Sequence, residues 1–453
     1  MASHKIEYAS TPLPTRETAT GLSTILKNFL THHSEVKFLR YQYIDYGAVV
    51  RARISPIAHV LRVAAENSTP KMGGNVSDVF ALDGTILWDL GTTTTDALVP
   101  DWASLRECYY QPGHAVVMCC VAEGSQGPEK LFAACPRMRL WQLVNAAKQH
   151  HGVTFLVGVE VEFYIMTKSE GDGGVVPVST PPAPFTTAST RNAYFPLVEK
   201  ISDILEKAGI QVCCIHPESG CGMFELSVEP LPPYEAMDAL VYIQETIKTV
   251  CSAHGFHATM HPRPLEKGSP AGYHAHISMS PPDKADSFLA GVLHHFRGLC
   301  GITMPTYDSY ERFSYTCDYV SWGTENRLCA VRKIRDAYWE MRLLDGTAHP
   351  YLSLLAILAV GMWGISKKMP LEMGDLREFT AKPSEELRKQ LHIDTLVPTS
   401  LREAIDALDE NDVLKELLGP GMMDRYIVFK RIEETSFASK SFEERREIVM
   451  RYF

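Results

Sequence analysis

The chain carries no excess of positive charge. Its formal net charge is −10 over 453 residues, which excludes a broad polyanion-binding surface and argues against nucleic acid as a partner. A local basic pocket for a phosphate is compatible with that balance. There is no CxxC pair among the 11 cysteines, an odd number. Cys119-Cys120 and Cys213-Cys214 are adjacent within apolar runs. All are expected to be reduced, mostly buried thiols of an intracellular protein. The start, Met1-Ala2-Ser3-His4-Lys5-Ile6, lacks an apolar signal core, and no apolar run is long enough to cross a bilayer. The best candidate, Tyr351 to Ile365, is too short and reads as a core helix. A cytosolic location with no membrane partner is expected. Neither a P-loop nor a kinase glycine loop occurs. Internal repeats and low-complexity blocks are also missing.

Hydrophobic residues make up 45% and charged residues 22%, enough for a large core and two domains. Residues 1–35 read as an arm followed by a helix, Thr20 to His33. Residues 36–130 read as a small sheet-rich domain. Its strands are expected at Val36 to Ile44, Gly47 to Ile54, Val79 to Leu90 and Ala115 to Val121, with a turn-rich loop from Gly91 to Asp96. Residues 131–453 form the larger unit. Helices are expected over Met138 to His151, Asn192 to Ala208, Pro233 to His254, Asp286 to Cys300, Pro350 to Lys367 and Ser400 to Leu418. The segment Ser169 to Thr190 reads as an exposed loop.

One stretch organises the larger unit: Gly158-Val159-Glu160-Val161-Glu162-Phe163. Apolar residues from Phe155 to Phe163 mark a buried strand. Side chains alternate along a strand, so Glu160 and Glu162 share a face. Two like charges on a buried face are costly unless a cation lies between them. A strand with a solvated carboxylate face is the other reading of this stretch alone.

Further ligand-type residues follow. His216 to Leu226 places Glu218 and Glu225 on either side of a glycine-bearing turn. Gly272 to Ser278 sets His274, His276 and Ser278 on one strand face. Asn326 to Arg332 contains Arg327 and Arg332 with no acid between them, and Glu340 and Arg342 again share a face. Taken singly, His274 reads as a core histidine and Arg332 as a surface residue. As an ordered set, glutamates and a histidine on strand faces suit hard divalent cations such as Mg²⁺ or Mn²⁺. Arginines supply forks for phosphate and carboxylate. A carboxylate-held metal with available arginines is the equipment of phosphoryl transfer.

With those motifs in order, the sequence resembles the glutamine synthetase family from about residue 36 onward. Pro350-Tyr351-Leu352, Leu401 to Ala404 and Lys430 to Glu433 also fit. The resemblance implies an α+β protein: a small β-grasp-like N-terminal domain, then a catalytic domain whose antiparallel strands form a funnel. It implies one metal site at Glu162, Glu218 and Glu225, and another at Glu160, His274 and Glu340. His276, Ser278 and Arg332 would serve ATP. Arg312 and Arg342, with Glu162, would bind an amino-acid substrate. Arg327 would stabilise the moving phosphoryl group. The implied partners are a glutamate-like acid, an amine and ATP, and the implied assembly is a large homo-oligomer of stacked rings.

The departures from the family pattern cluster at substrate-selecting positions. Asp318 stands where a flap glutamate is usual. Asp83-Gly84-Thr85-Ile86 is a loose counterpart of the ammonium-binding motif. Pro270, Met223, Tyr338 and His349 replace a glycine, glutamine, arginine and asparagine. Tyr315, Tyr319 and Trp322 offer aromatic faces near the flap, or else pack it. The expected function is ATP-dependent ligation of a carboxylate, the γ-carboxylate of glutamate, to ammonia or a larger amine through an acyl phosphate. The alternative is a catalytically silent ring protein with a structural or regulatory role.

Overall fold

The computed structural model describes residues 19–66, 68–74, 77–78, 80–87, 90, 94–124, 132–169, 174–179 and 184–453; the side chains of 19–23 and 312–315 lie outside that description. Of the loop expected over Gly91 to Asp96, residues 91–93 fall outside it, as does the arm before residue 19, while Thr95 and Asp96 open a strand, Thr95–Pro100.

The chain is α+β, built around two sheets. In the first, Phe38–Ile44 and Val50–Pro56 pair antiparallel across the Asp45-Tyr46-Gly47 turn, as their alternation predicts. Asp45 Oδ1 closes that turn by accepting from Val49 N at 2.9 Å. Phe38–Ile44 also pairs in parallel with His114–Ala122, which continues to Thr95–Pro100. The helices Ala19–His32 and Ile57–Ala65 cover this sheet, with Leu26, Leu39, Val60, Leu98 and Val117 in the shared core. Among the described residues, the strand expected over Val79 to Leu90 does not form. Its described part is a turn at Asp83-Gly84, Gly84 having a φ of +87°, with a single bridge between Phe80 and Ile86.

The second sheet runs, edge to edge, through Val212–Pro217, Met223–Val228, Thr154–Lys168, Tyr273–Ser280, Tyr338–Met341, Val331–Arg335 and Trp322–Thr324. The organising stretch lies mid-way along Thr154–Lys168. Its odd-numbered residues Val157, Val159, Val161 and Phe163 are buried against helices. Pro350–Lys367 is apolar all round and 83% buried, the helix at the centre of that core. Its Gly364 and Gly291 of the neighbouring helix Ala285–His294 permit close approach, since a Cβ on Gly364 would lie 2.9 Å from the Gly291 Cα. His349 caps this helix: its Nδ1 accepts from Leu352 N at 3.2 Å. Burial pushes the imidazole down to about 3, keeping the ring neutral and able to accept. A histidine thereby does the capping work that short polar side chains usually do.

The helix expected over Asp286 to Cys300 divides at His295, which closes Ala285–His294 and opens Phe296–Thr303. His295 packs edge-on against Trp363 and bonds Asn411 at 3.0 Å. The Ser400 to Leu418 segment likewise forms two helices, Leu401–Asp409 and Asp412–Leu418. Arg137 ties the two sheets together. Its guanidinium reaches Asp101 at 2.9 Å and Asp238 at 2.7 Å, and lies over the Tyr234 ring.

Candidate active site

The second sheet brings the ligand-type residues onto one face. Register partners in an antiparallel pair share a face. Glu162 is the register partner of Glu225, and Glu225 of His216. On the other side Glu160 pairs with His274, His276 with Glu340, and Glu340 with Arg332. The hairpin that delivers Glu225 turns at Gly222, where φ is +68° and a Cβ would lie 2.8 Å from Ile165 O. Only glycine fits there.

The contacts form a continuous network. His274 Nδ1 lies 3.3 Å from Glu160 Oε2 and 3.4 Å from Glu340 Oε1, and its Nε2 is 3.9 Å from Glu162 Oε1. His276 Nε2 lies 3.0 Å from Glu160 Oε1, and its Nδ1 is 2.9 Å from the Tyr338 hydroxyl. Glu340 is engaged by Arg332 at 3.0 Å and also by Arg342. Arg332 pairs in addition with Glu325, an acid that lies before Arg327 rather than between the two arginines. His216 Nε2 is 3.1 Å from Glu225 Oε1.

The charges do not balance evenly. Burial, then the carboxylates of Glu160, Glu162, Glu218 and Glu340, push Glu225 up to about 8. Burial pushes Glu160 the same way, but the imidazoles of His274 and His276 outweigh it and hold the carboxyl well below the usual range. Burial and Glu162 raise Glu218. Glu218 Oε2 and His276 Nε2 are buried without a well-aligned hydrogen-bond partner. Unpaired ligand atoms beside a carboxylate pushed up by burial and by like charges fit a divalent cation. Among the described residues, three groups have ligand atoms within 4.8 Å of one another: His33, Glu35 and Glu107 belong to no part of this sheet, whereas Glu160, Glu225 and His274, and Glu160, His276 and Glu340, lie on it. The two on the sheet cut across the expected sets: Glu160 belongs to both, and His276 joins the second. Glu162 and Glu218 instead line an adjoining cavity of about 340 Å³ together with His274, Ser269, Pro270, Thr316 and Arg342.

Other expected residues stand apart. Ser278 shares the face of His276, opposite Tyr338, and its Oγ is 3.5 Å from Leu156 O. Arg327 is exposed on a turn held by Asn326, whose amide donates to Leu376 O and Glu378 O. Asp318 is exposed, and its backbone bonds Ala381 and Val397. The side chain of Arg312 lies outside the described residues; its backbone belongs to the 3-10 segment Tyr307–Tyr315. Asp83 is taken up by Ser436 at 2.7 Å. Of the aromatic faces expected at the flap, Tyr319 and Trp322 are committed to packing, and the side chain of Tyr315 lies outside the described residues. The Trp322 indole is buried and donates to Met373 O at 2.9 Å, and Arg388 covers the Tyr319 ring at 4.4 Å. His216 was missed by sequence reasoning; the signal was its place opposite Glu225 in the hairpin.

Comparison with known proteins agrees with this geometry. The family described as "Glutamine synthetase, catalytic domain" matches residues 133–448. The chain is 30% identical over 437 residues to Protein fluG of Emericella nidulans, covering 94% of this chain and 50% of that protein, so it spans about half of that relative's length. It is 29% identical over 423 residues to the gamma-glutamylpolyamine synthetase GlnA3 of Streptomyces coelicolor, covering 86% of this chain and 87% of that one. A solved structure, the GmaS/ADP complex, superimposes with a TM-score of 0.78 at 22% identity, covering 95% of this chain and 99% of that one. At that identity the likeness concerns the fold. Carboxylates and histidines on one sheet face, the sequence match and the shared fold agree: the chain belongs to the glutamine synthetase family.

Proposed function

We propose that the protein is an ATP-dependent carbon–nitrogen ligase joining the γ-carboxylate of glutamate to ammonia or a larger amine. The observation that carries this reading is the convergence of Glu160, Glu225, His274, His276 and Glu340, with Arg332 and Arg342, on one sheet face beside a cavity. Mg²⁺ or Mn²⁺ held by these carboxylates and imidazoles would supply charge neutralisation for the phosphates. Glu162 and Glu218 complete the ligand set from the cavity side.

In the proposed reaction an oxygen of the substrate carboxylate attacks the γ-phosphorus of ATP, and ADP leaves. The amine nitrogen then attacks the acyl carbon, inorganic phosphate leaves, and Asp318 receives the proton that nitrogen sheds. An acyl phosphate turns a poor leaving group into a good one. Arg342 and Arg312 hold the acid, Arg332 with His276 and Ser278 serves ATP, and Arg327 swings in from its exposed turn to the moving phosphoryl group. Such groups act on charge that exists only in transit. Glutamine synthetases and a gamma-glutamylpolyamine synthetase among the relatives support both acceptor classes. The assembly in this reading is a large homo-oligomer. Product mass spectrometry with ATP, Mg²⁺, glutamate and a panel of amines tests it: an amide of glutamate with stoichiometric ADP is expected, and ATP turnover without any amide would refute it.

A further inference from the structure

We propose that Arg445 is a positioning residue for the acid-substrate side of the site. It would act by clamping the segment that carries Arg312. The inference rests on the ligase reading for the role of Arg312, and on contacts of its own for the clamp.

Arg445 lies in the helix Phe442–Met450, whose start is fixed by a capping box between Ser441 and Glu444. Its guanidinium is almost wholly buried, and two of its nitrogens converge on one carboxylate oxygen. Nε and Nη2 each lie 2.8 Å from Asp308 Oδ1. Nη2 also lies 3.5 Å from Glu311 Oε1, and Nη1 donates to Lys440 O at 3.0 Å. The guanidinium plane sits over the Tyr307 ring at 4.5 Å. Tyr307, Asp308 and Glu311 all precede Arg312 on the 3-10 segment Tyr307–Tyr315. A planar, permanently charged fork gripping a buried carboxylate and an aromatic face sets direction as well as distance.

A second arginine fastens the same segment. Arg263 donates to Glu311 O at 2.8 Å and to Glu266 O at 2.9 Å. It joins the 3-10 segment to the loop that runs on to Ser269 and Pro270. Those two residues and Thr316, just past the segment, form walls of the cavity beside Glu162 and Arg342. The two loops that shape the cavity are thus tied to each other and, through Arg445, to the helix Phe442–Met450. A carboxylate clamp on Tyr307–Tyr315 must be placed to well under an ångström to bind productively. None of Arg445, Asp308 or Arg263 is among the metal-ligand candidates.

The test uses the full chain with Arg445→Met and Arg445→Lys. Separate KM values for glutamate and ATP are measured, with hydrogen exchange over residues 307–317 and the melting temperature. For Arg445→Met we expect glutamate KM to rise at least tenfold, ATP KM to stay within twofold, and exchange at 307–317 to quicken at least tenfold. Exchange in Tyr273–Ser280 should be unchanged. Arg445→Lys, retaining charge without the fork, should fall between. Unaltered exchange at 307–317 would overturn the proposal. So would equal rises in both KM values with a lowered melting temperature, the mark of general destabilisation. Should Arg445→Met fail to fold, Asp308→Asn replaces it with the same expectations at smaller size. Should the wild type couple no acid to an amine, the ligase reading fails, and the exchange measurement alone decides the clamp.

Discussion

Glu162 and Glu225 face each other as register partners on adjacent antiparallel strands, two carboxylates at one rung of a ladder. Like charges directly opposite are destabilising, and Glu225 resolves the conflict by holding its proton up to about 8.

This has a pH signature in metal-free protein. The folded-state pKa of Glu225 is raised, so between its unfolded value and about 8 the folded chain binds more protons than the unfolded one. Stability therefore falls as pH rises through that window. His261 and His349, pushed down to about 3 by burial, act oppositely but only below their unfolded pKa. From about pH 6.5 to 8 the Glu225 slope is the one to measure. In EDTA, Glu225→Gln should flatten the decline in unfolding free energy, by at most about 1.4 kcal/mol per pH unit. Identical slopes in both proteins would refute this.

Glu160 belongs to both clusters of possible ligands on the second sheet. Glu160→Ala should abolish turnover and remove the rise in melting temperature that Mg²⁺ or Mn²⁺ produces, with the far-ultraviolet spectrum retained. His274→Ala and Glu162→Ala should lose turnover as well. At a cation concentration of about 100 Kd the lost stabilisation is about 2.7 kcal/mol. Wild-type melting shifts in Glu160→Ala would remove it from the ligand set.

His276 spans the Tyr338 hydroxyl and Glu160. A hydroxyl partner on Nδ1 fixes the ring orientation and decides which nitrogen faces the acids. Tyr338→Phe should weaken Mn²⁺ binding about 10–100-fold by titration calorimetry. Unchanged affinity would leave Tyr338 a packing residue.

The amine preference is the most discriminating measurement. Asp318 is exposed and a methylene shorter than glutamate, and Asp83 is engaged by Ser436 rather than free to cage ammonium. Ammonia should be the poorer acceptor, and an organic amine should give the higher kcat/KM at equal concentrations of unprotonated amine. Ammonia as the best acceptor in a broad panel would reverse this.

Much of the site was legible because strand alternation is local. Val157 to Phe163 with two interposed glutamates states its own two faces. The hairpin carrying Glu225 was equally readable from Gly220 and Gly222. What alternation cannot give is which strand lies beside which. The approach of Tyr338 to His276 arises from the pairing of Tyr273–Ser280 with Tyr338–Met341, strands far apart in sequence. The same limit hid the fate of Trp322 and Tyr319, whose partners Met373 and Arg388 lie in a later segment. Val79 to Leu90 failed for a local reason: apolar content outweighed the turn signal of Asp83-Gly84. The single helix expected across His295 failed for a tertiary one, since Trp363 and Asn411 hold the break.

Arg137 has a bearing on how freely this architecture can be recombined. Asp101 comes from the first sheet's connections, Asp238 from the long helix Pro233–Ala253, and the Tyr351 hydroxyl bonds Asp238 from the central helix. All four groups are buried. The first sheet is therefore not a free-standing module that can be exchanged at will. A chimera bringing a first sheet without an acid at position 101 would strand part of a buried cation, and breaking such a pair costs about 3–5 kcal/mol. Its calorimetric trace should split into two transitions where the native chain gives one, and restoring the acid should fuse them again.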